Sequence, residues 1–403
     1  MVHTYMACAM AGGDAMSKIV AFVRDADWLD SSRVRAYAMI LALCSLASMG
    51  LYFYLATHVD YSDFLAFWGA GKIALTGDFA AVYDTVRQQA VQGTTGFQDA
   101  FAFVNPPPLL FAVMPFGSLP YPLAWIAWVG LTFALWMWIT TRTYPHYWAL
   151  ILAYPGALIA ASHAQNGLLT GALLVGGVAA IASKRQWVGG ALIGALVVKP
   201  HLALLTPFWL AAGGRWRAFA AAAISAVGLV LASWAAFGTD TMLAYTSTWA
   251  FSAELMQLDR PEFYLRMATL YGQLRVHTEP DLALGLNAIV SAVMVAMVWL
   301  SWRRFGGDAQ ATGALVIAAT PLASPYLFNY DLAFLILPTL WLAAEAKQAG
   351  YRPWDKVTLL ILYLAPFVTR AFALPLHINL MPLASALMVW LIWQRGKADA
   401  PTN

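Results

Sequence analysis

Apolar residues along this chain do not alternate with polar ones. They run in long blocks divided by short polar, glycine and proline stretches. Such blocks predict membrane-spanning helices, because in lipid every backbone N–H and C=O must be satisfied within its own segment and about 20 residues cover the hydrocarbon. Spans are expected at 36–57, 122–141, 146–161, 167–183, 217–237, 284–302, 329–344, 357–370 and 376–393. Three further runs, 187–198, 201–213 and 310–323, fall below spanning length.

Basic residues arbitrate among these runs, because lysine and arginine are retained on the cytoplasmic side. With the N-terminus inside, cytoplasmic clusters form at Lys18/Arg24/Arg33/Arg35, Arg142, Lys184/Arg185, Arg215/Arg217, Arg303/Arg304, Lys347/Arg352/Lys356 and Arg395/Lys397. They hold 16 of the 23 basic residues, so each neighbouring pair must enclose an even number of crossings. Residues 187–213 then become two short helices turning at Lys199-Pro200-His201, and 310–344 turns at Ser324-Pro325-Tyr326. The expectation is an all-α polytopic bundle of about twelve crossings. It has a cytoplasmic leader (1–35), a single transmembrane domain (36–395), a short cytoplasmic tail (396–403) and two large outer segments, 58–105 and 238–283.

The outer side collects twelve of the twenty acidic residues. In the first outer segment, Phe64, Phe67, Trp68, Ile73 and Leu75 suggest an amphipathic helix lying along the membrane surface and capping the bundle. Asn105-Pro106-Pro107-Pro108, Met114-Pro115 and Leu119-Pro120 then break the backbone and predict a kinked or re-entrant approach. No strong repeat of 20 to 50 residues is present, which weakens an inverted-repeat transporter.

Composition agrees with this reading. Charged residues make up 11% of the 403, against roughly 25% in soluble domains. The net charge of +3 is spread along the chain, which argues against nucleic-acid binding. Cys8 and Cys44 frame neither a disulfide scaffold nor a thiolate metal site. The charged leader is not a signal peptide, and Met16 is a second candidate start. No His-x-x-x-His pair or glycine-rich phosphate loop supports a metal or nucleotide cofactor.

The topology brings distant polar residues to the outer helix ends: Asp60 and Asp63; His163, Gln165 and Asn166; Lys199 and His201; Tyr326, Asn329, Tyr330 and Asp331; and Arg370 and His377. Ionisable groups near a membrane are costly and usually line a wet cavity, so a single outer cleft accounts for all of them. Plainer roles stand beside it. Asp60 or Asp63 could cap the following helix, and Lys199 could snorkel to the interface or pair structurally with Asp331. Arg370 could meet solvent or lipid headgroups, and each histidine could be a hydrogen-bonded structural residue.

Five segments carry a resemblance, in order along the chain: YSDFLAFWGAGKIALTGDFAAVYD (61–84), NPPPLLFAVMPFGSLPYPLAWIAW (105–128), AQNGLLTGALL (164–174), GALIGALVVKPHLALLTPFWLAAGGRWRA (190–218) and SPYLFNYDLAFLILP (324–338). Together they resemble glycosyltransferase family 87 of the GT-C superfamily. That resemblance implies transfer of a sugar, mannose being the best-known case, from a polyprenyl-phosphate donor to a lipid or glycan acceptor on the extracytoplasmic face of a bacterial inner membrane. It also implies an acidic base in the first outer loop. Asp63 of the Asp-Phe motif matches that position, with Asp60 as rival. The family's Lys-Pro-Gln stands here as Lys199-Pro200-His201.

On this reading Asp63 takes the acceptor's proton, Lys199 and Arg370 bind the departing phosphate, and the anomeric centre inverts. His163, Gln165, Asn166, His201, Tyr326, Asn329, Asp331 and His377 are candidate sugar or acceptor contacts. The alternative is a translocase for a lipid-linked sugar. It would call for polar residues near mid-membrane rather than at one end of the spans.

Overall fold

A computed structural model describes residues 17–59, 62–97 and 100–396. Asp60, Asp99, Met16, Cys8 and Lys397 therefore lie outside the described residues. Among those described the chain is helical, and extended pairing is limited to one isolated antiparallel bridge between Met267 and Phe328.

Helices form where the apolar blocks predict them, and their ends show why. The first apolar block lies within a helix over Ser31–Tyr54 that continues as a π-helical turn through Val59. It starts ahead of the block because the Asp30 carboxylate caps it, accepting from Ser32 N and Arg33 N. Proline opens the helix Pro280–Arg304 and sits at the second position of Tyr121–Thr143 and Met381–Arg395, where a missing N–H costs nothing. By length and composition five helices among the described residues can cross a membrane: Ser31–Val59, Tyr121–Thr143, Trp216–Phe237, Pro280–Arg304 and Asp355–Leu376. Large apolar side chains such as Leu46, Ile224 and Ile289 stand exposed on three of them, as lipid-facing positions do. The chain is an integral membrane protein.

The expected number of crossings is larger than the helices of spanning length. The 146–161 block is broken into Trp148–Leu152 and Pro155–His163, because Pro155 removes a donor and holds Tyr154 extended. Five shorter apolar helices, among them Gly167–Ala182 and Ala309–Ala323, complete the apolar set. Both predicted turns are present. Residues 186–198 stop at Lys199 (φ −152°, ψ 70°), immediately before Pro200. Ala309–Ala323 stops at an extended Ser324, followed after a short loop by a 3-10 helix over Asn329–Leu335.

The main core is centred on Ala309–Ala323, in which every residue but Gln310 is buried. Close packing there relies on small residues, since lipid supplies no hydrophobic drive between helices. The Gly190-x-x-x-Gly194 stripe is an instance: a Cβ at Gly190 would lie 2.1 Å from Ala218 O, and one at Gly194 2.2 Å from Ala222 O.

A second core lies beside it, and here one expectation needs correcting. Phe64–Ala74 is not an amphipathic helix lying on a surface, because all of its residues except Lys72 are buried. It is enclosed by the 105–128 segment and by Thr85–Gln92. Trp68 Nε1 donates to Leu119 O at 2.9 Å, and Gln92 Nε2 donates to Phe101 O at 2.8 Å. These segments fold over the helix and give it a hydrophobic surround on all but its Lys72 side. Its position fixes the residue just before it, Asp63.

Candidate active site

Asp63 occupies the N-cap of the Phe64–Ala74 helix but makes no capping hydrogen bond with its side chain. Capping therefore does not account for it. Ser62, just before it, is held by a buried contact with the Tyr121 hydroxyl at 3.1 Å, which ties the turn to the second core. The Asp63 carboxylate faces another helix end. It accepts a hydrogen bond from the Gln165 side chain and feels the charges of His163, Lys199 and Arg266. Asp63 lies beyond the first spanning helix, and its burial raises its pKa above the ordinary carboxylate value against those stabilising partners.

His163 and Gln165 are presented by the end of the Pro155–His163 helix. Ala164 there takes a left-handed conformation at φ 49°, which costs a β-carbon residue roughly 1 kcal/mol. Strain of this order persists where surrounding structure fixes it. His163 Nδ1 lies 3.1 Å from Ile159 O; a proton on Nδ1 to make that bond leaves Nε2 bare in the neutral ring.

Lys199 sits behind this pair. Its ammonium is 2.5 Å from Asp331 Oδ1 and 3.0 Å from Asn166 Oδ1, and it lies 5.3 Å over the Tyr330 ring. Both charged side chains are removed from solvent, 8% and 0% exposed. Lys199 therefore does not snorkel. The other carboxylate oxygen of Asp331 accepts from Phe328 N at 3.1 Å. With both oxygens engaged, Asp331 holds the lysine and its own turn rather than standing free for a sugar. Close backbone approach locks the arrangement: a Cβ on Gly167 would come within 2.1 Å of Tyr330 O.

Among the described residues three buried polar atoms nearby have no partner: Asn166 Nδ2, Asn329 Oδ1 and His201 Nε2. Unsatisfied buried groups are rare in native proteins and call for an explanation. Here a hydroxyl-rich ligand would satisfy them. The His201 ring stands edge-on to Tyr326 at 5.5 Å, and that of His163 lies 5.5 Å from Tyr330.

The topology thus brings Asp63, His163, Gln165, Asn166, Lys199 and Asp331 into one cluster, with His201, Tyr326 and Asn329 around it. Arg370 is half-buried and its charge reaches His163. His377 is not brought in. It is exposed at the C-cap of Asp355–Leu376, with φ 54°. Sequence reasoning missed Arg266. Its backbone carbonyl accepts from Asn329 N at 3.1 Å, and Ala268 N donates to Leu327 O at 2.8 Å. These bonds flank the Met267–Phe328 bridge and stitch residues 266–268 to the Asp331 turn. The available signal was an arginine among the outer segment's acids, without a motif around it. Among the described residues no three His, Cys, Asp or Glu side chains form a metal-binding group.

A cluster that joins a largely buried carboxylate, buried hydrogen-bonding groups and several cations within a membrane protein is a candidate active site for group transfer. The sequence profile of glycosyltransferase family 87 matches residues 103–325, more than half of the chain. The protein belongs to that family and is a glycosyltransferase. The matched stretch contains His163, Gln165, Asn166, Lys199 and Arg266; Asp63 precedes it and Asp331 follows it. Neither the curated proteins nor the solved structures compared with it give a match.

Proposed function

We propose that the enzyme moves a hexose, mannose being the sugar the family resemblance favours, from a polyprenyl-phosphate donor to a lipid or glycan acceptor. The cleft opens on the extracytoplasmic face of a bacterial inner membrane, with the shorter apolar helices paired as hairpins in a topology of about twelve crossings. The observation that carries this reading is Asp63: an N-cap carboxylate that does not cap, held beside Gln165 and His163 and facing cations.

In the reaction the acceptor hydroxyl gives its proton to Asp63 as its oxygen bonds to the anomeric carbon, and the bond from that carbon to the phosphate oxygen breaks. Attack from one face with departure from the other inverts the centre. Phosphate leaves readily as an anion once cations stabilise it, so no separate acid is needed. His163, Gln165, Asn166, His201, Tyr326 and Asn329 supply donors and acceptors for sugar hydroxyls. The engagement of Lys199 with Asp331 and Asn166 gives it first the task of holding that surface in place.

The test incubates purified protein with a panel of polyprenyl-phosphate hexoses and a membrane lipid extract, and reads products by mass spectrometry. One donor should yield an acceptor heavier by one hexose. Asp63→Asn should slow transfer by about 100-fold or more, the usual scale for losing a general base. Full activity of that variant would remove Asp63 from the role and bring forward Asp60. Donor movement across liposomes without any transfer would favour the translocase.

A further inference from the structure

The cation that a family motif supplies, Lys199, is neutralised in a buried pair with Asp331 and directs a second bond to Asn166. Two other cations act on the site. Among the described residues neither Arg266 nor Arg370 has a carboxylate within ion-pair distance. The helix bearing Arg370, Asp355–Leu376, packs against Pro155–His163 and Asn329–Leu335, and the charges of both arginines act at His163, that of Arg266 also at Asp63. Arg266 ends the short helix Pro261–Leu265, which touches the Asp355–Leu376 helix bearing Arg370. Its carbonyl is pinned by Asn329 N, so this end of the second outer segment is fixed to the site. Arg266 is exposed and Arg370 half-buried, which leaves both able to reach a ligand.

We infer that Arg266 and Arg370 form the clamp that binds the lipid phosphate of the donor, in place of Lys199. The inference rests on the proposed donor class. Planar guanidinium groups match phosphate oxygens with paired, charge-assisted hydrogen bonds, which an ammonium already engaged by a carboxylate does not provide.

Charge conservation supports the assignment. Among the described residues Lys199, Arg266 and Arg370 stand against Asp63 and Asp331, an excess of one positive charge that a sugar-phosphate diester, a monoanion, would cancel. During transfer Asp63 gains the acceptor's proton and becomes neutral, while the breaking C–O bond leaves its electron pair on phosphate, which becomes a dianion. The cleft's net charge is unchanged, but negative charge moves from Asp63 to the clamp. Cations placed at the end of that path bind the transition state more tightly than the ground state.

The experiment titrates farnesyl phosphate into purified full-length protein in phosphatidylcholine nanodiscs, with farnesol and inorganic phosphate as parallel arms. Farnesyl phosphate should bind, and Arg266→Gln and Arg370→Gln should each weaken its Kd about tenfold or more. Arg266→Lys should recover only part of the loss, and Arg260→Gln, an exposed arginine nearby, should change nothing. Unchanged Kd in both glutamine variants would overturn the clamp. So would equal affinity for farnesol, which would mean tail binding alone, or equal affinity for inorganic phosphate, which would mean a site for the free ion. The transfer assay separates this from the function itself. Arginine-dependent binding of farnesyl phosphate by a wild-type protein that transfers no sugar would keep the clamp and sink the proposed reaction. Sugar transfer with donor KM and kcat unchanged in both arginine variants would keep the reaction and sink the clamp.

Discussion

Two carboxylates a few side chains apart in this cleft lead opposite lives. Asp331 is fully buried, with one oxygen on Lys199 and the other on a backbone N–H. Asp63 stands at a helix start it does not cap, its burial opposed by neighbours that only partly compensate it. Both would read in a sequence as acidic residues at the outer end of a span. The difference shows that a buried charge with every partner in place is a structural fixture, whereas one left short of partners remains available for chemistry. A similar contrast separates the cations: Lys199 is paired with Asp331, whereas among the described residues Arg266 and Arg370 have no carboxylate within ion-pair distance.

The strongest test of that division removes one half of the closed pair. Lys199→Ala should strip a buried carboxylate of its cation and destabilise the protein by about 3 kcal/mol or more, seen as a fall in thermal midpoint in detergent. Lys199→Met with Asp331→Leu should recover most of it, because removing both charges also removes the desolvation penalty. If the double variant folds yet binds farnesyl phosphate far more weakly than wild type, Lys199 acts on the donor directly and the contrast collapses.

A smaller effect comes from the glycine that lets the two sides meet. Gly167→Ala would drive a methyl group into Tyr330 O. A shift of the Asp331 turn should cost about 1–3 kcal/mol. The same shift should reduce activity more than stability if Asn166 and Tyr330 border the sugar. Equal losses of both would make the contact one of packing alone.

The mildest change should go the other way. Because the carboxyl of Asp63 has a raised pKa when folded, its ionised form works against folding. That penalty is absent below the unfolded value of about 3.9, grows as pH rises toward the folded value, and stays constant above it. Asp63→Asn should therefore raise the thermal midpoint at neutral pH and leave it unchanged near pH 3. Activity of the wild type should correspondingly fall on the acid side at a pH above the ordinary carboxylate range, since the base must be ionised. An acid limb at the ordinary value would mean that the cations outweigh burial.

How much of this was legible in the sequence depends on which force placed each residue. The helix over Ser31–Val59, the break at Lys199-Pro200 and the turn after Ala323 follow from local rules: apolar length, proline geometry and the distribution of basic residues. Those rules also brought His163, Gln165, Asn166, Lys199 and Asp331 to one end of the bundle. The Phe64–Ala74 helix was misread because its burial comes from segments far along the chain, and periodicity reports only the helix's own faces. His377 was grouped with the site by topology, yet it is turned out at a helix end.

The sequence by itself determined an all-helical membrane protein, its principal turns and the set of polar residues gathered at one end, because hydrophobic length and backbone chemistry act locally. Only the tertiary structure decided which charges neutralise one another. Lys199 lies 132 positions from Asp331, and Arg266 reaches the site through a backbone pairing with Asn329. Electrostatic partnership depends on distances of a few ångströms between helices remote in sequence, and no pattern along one strand of residues encodes them.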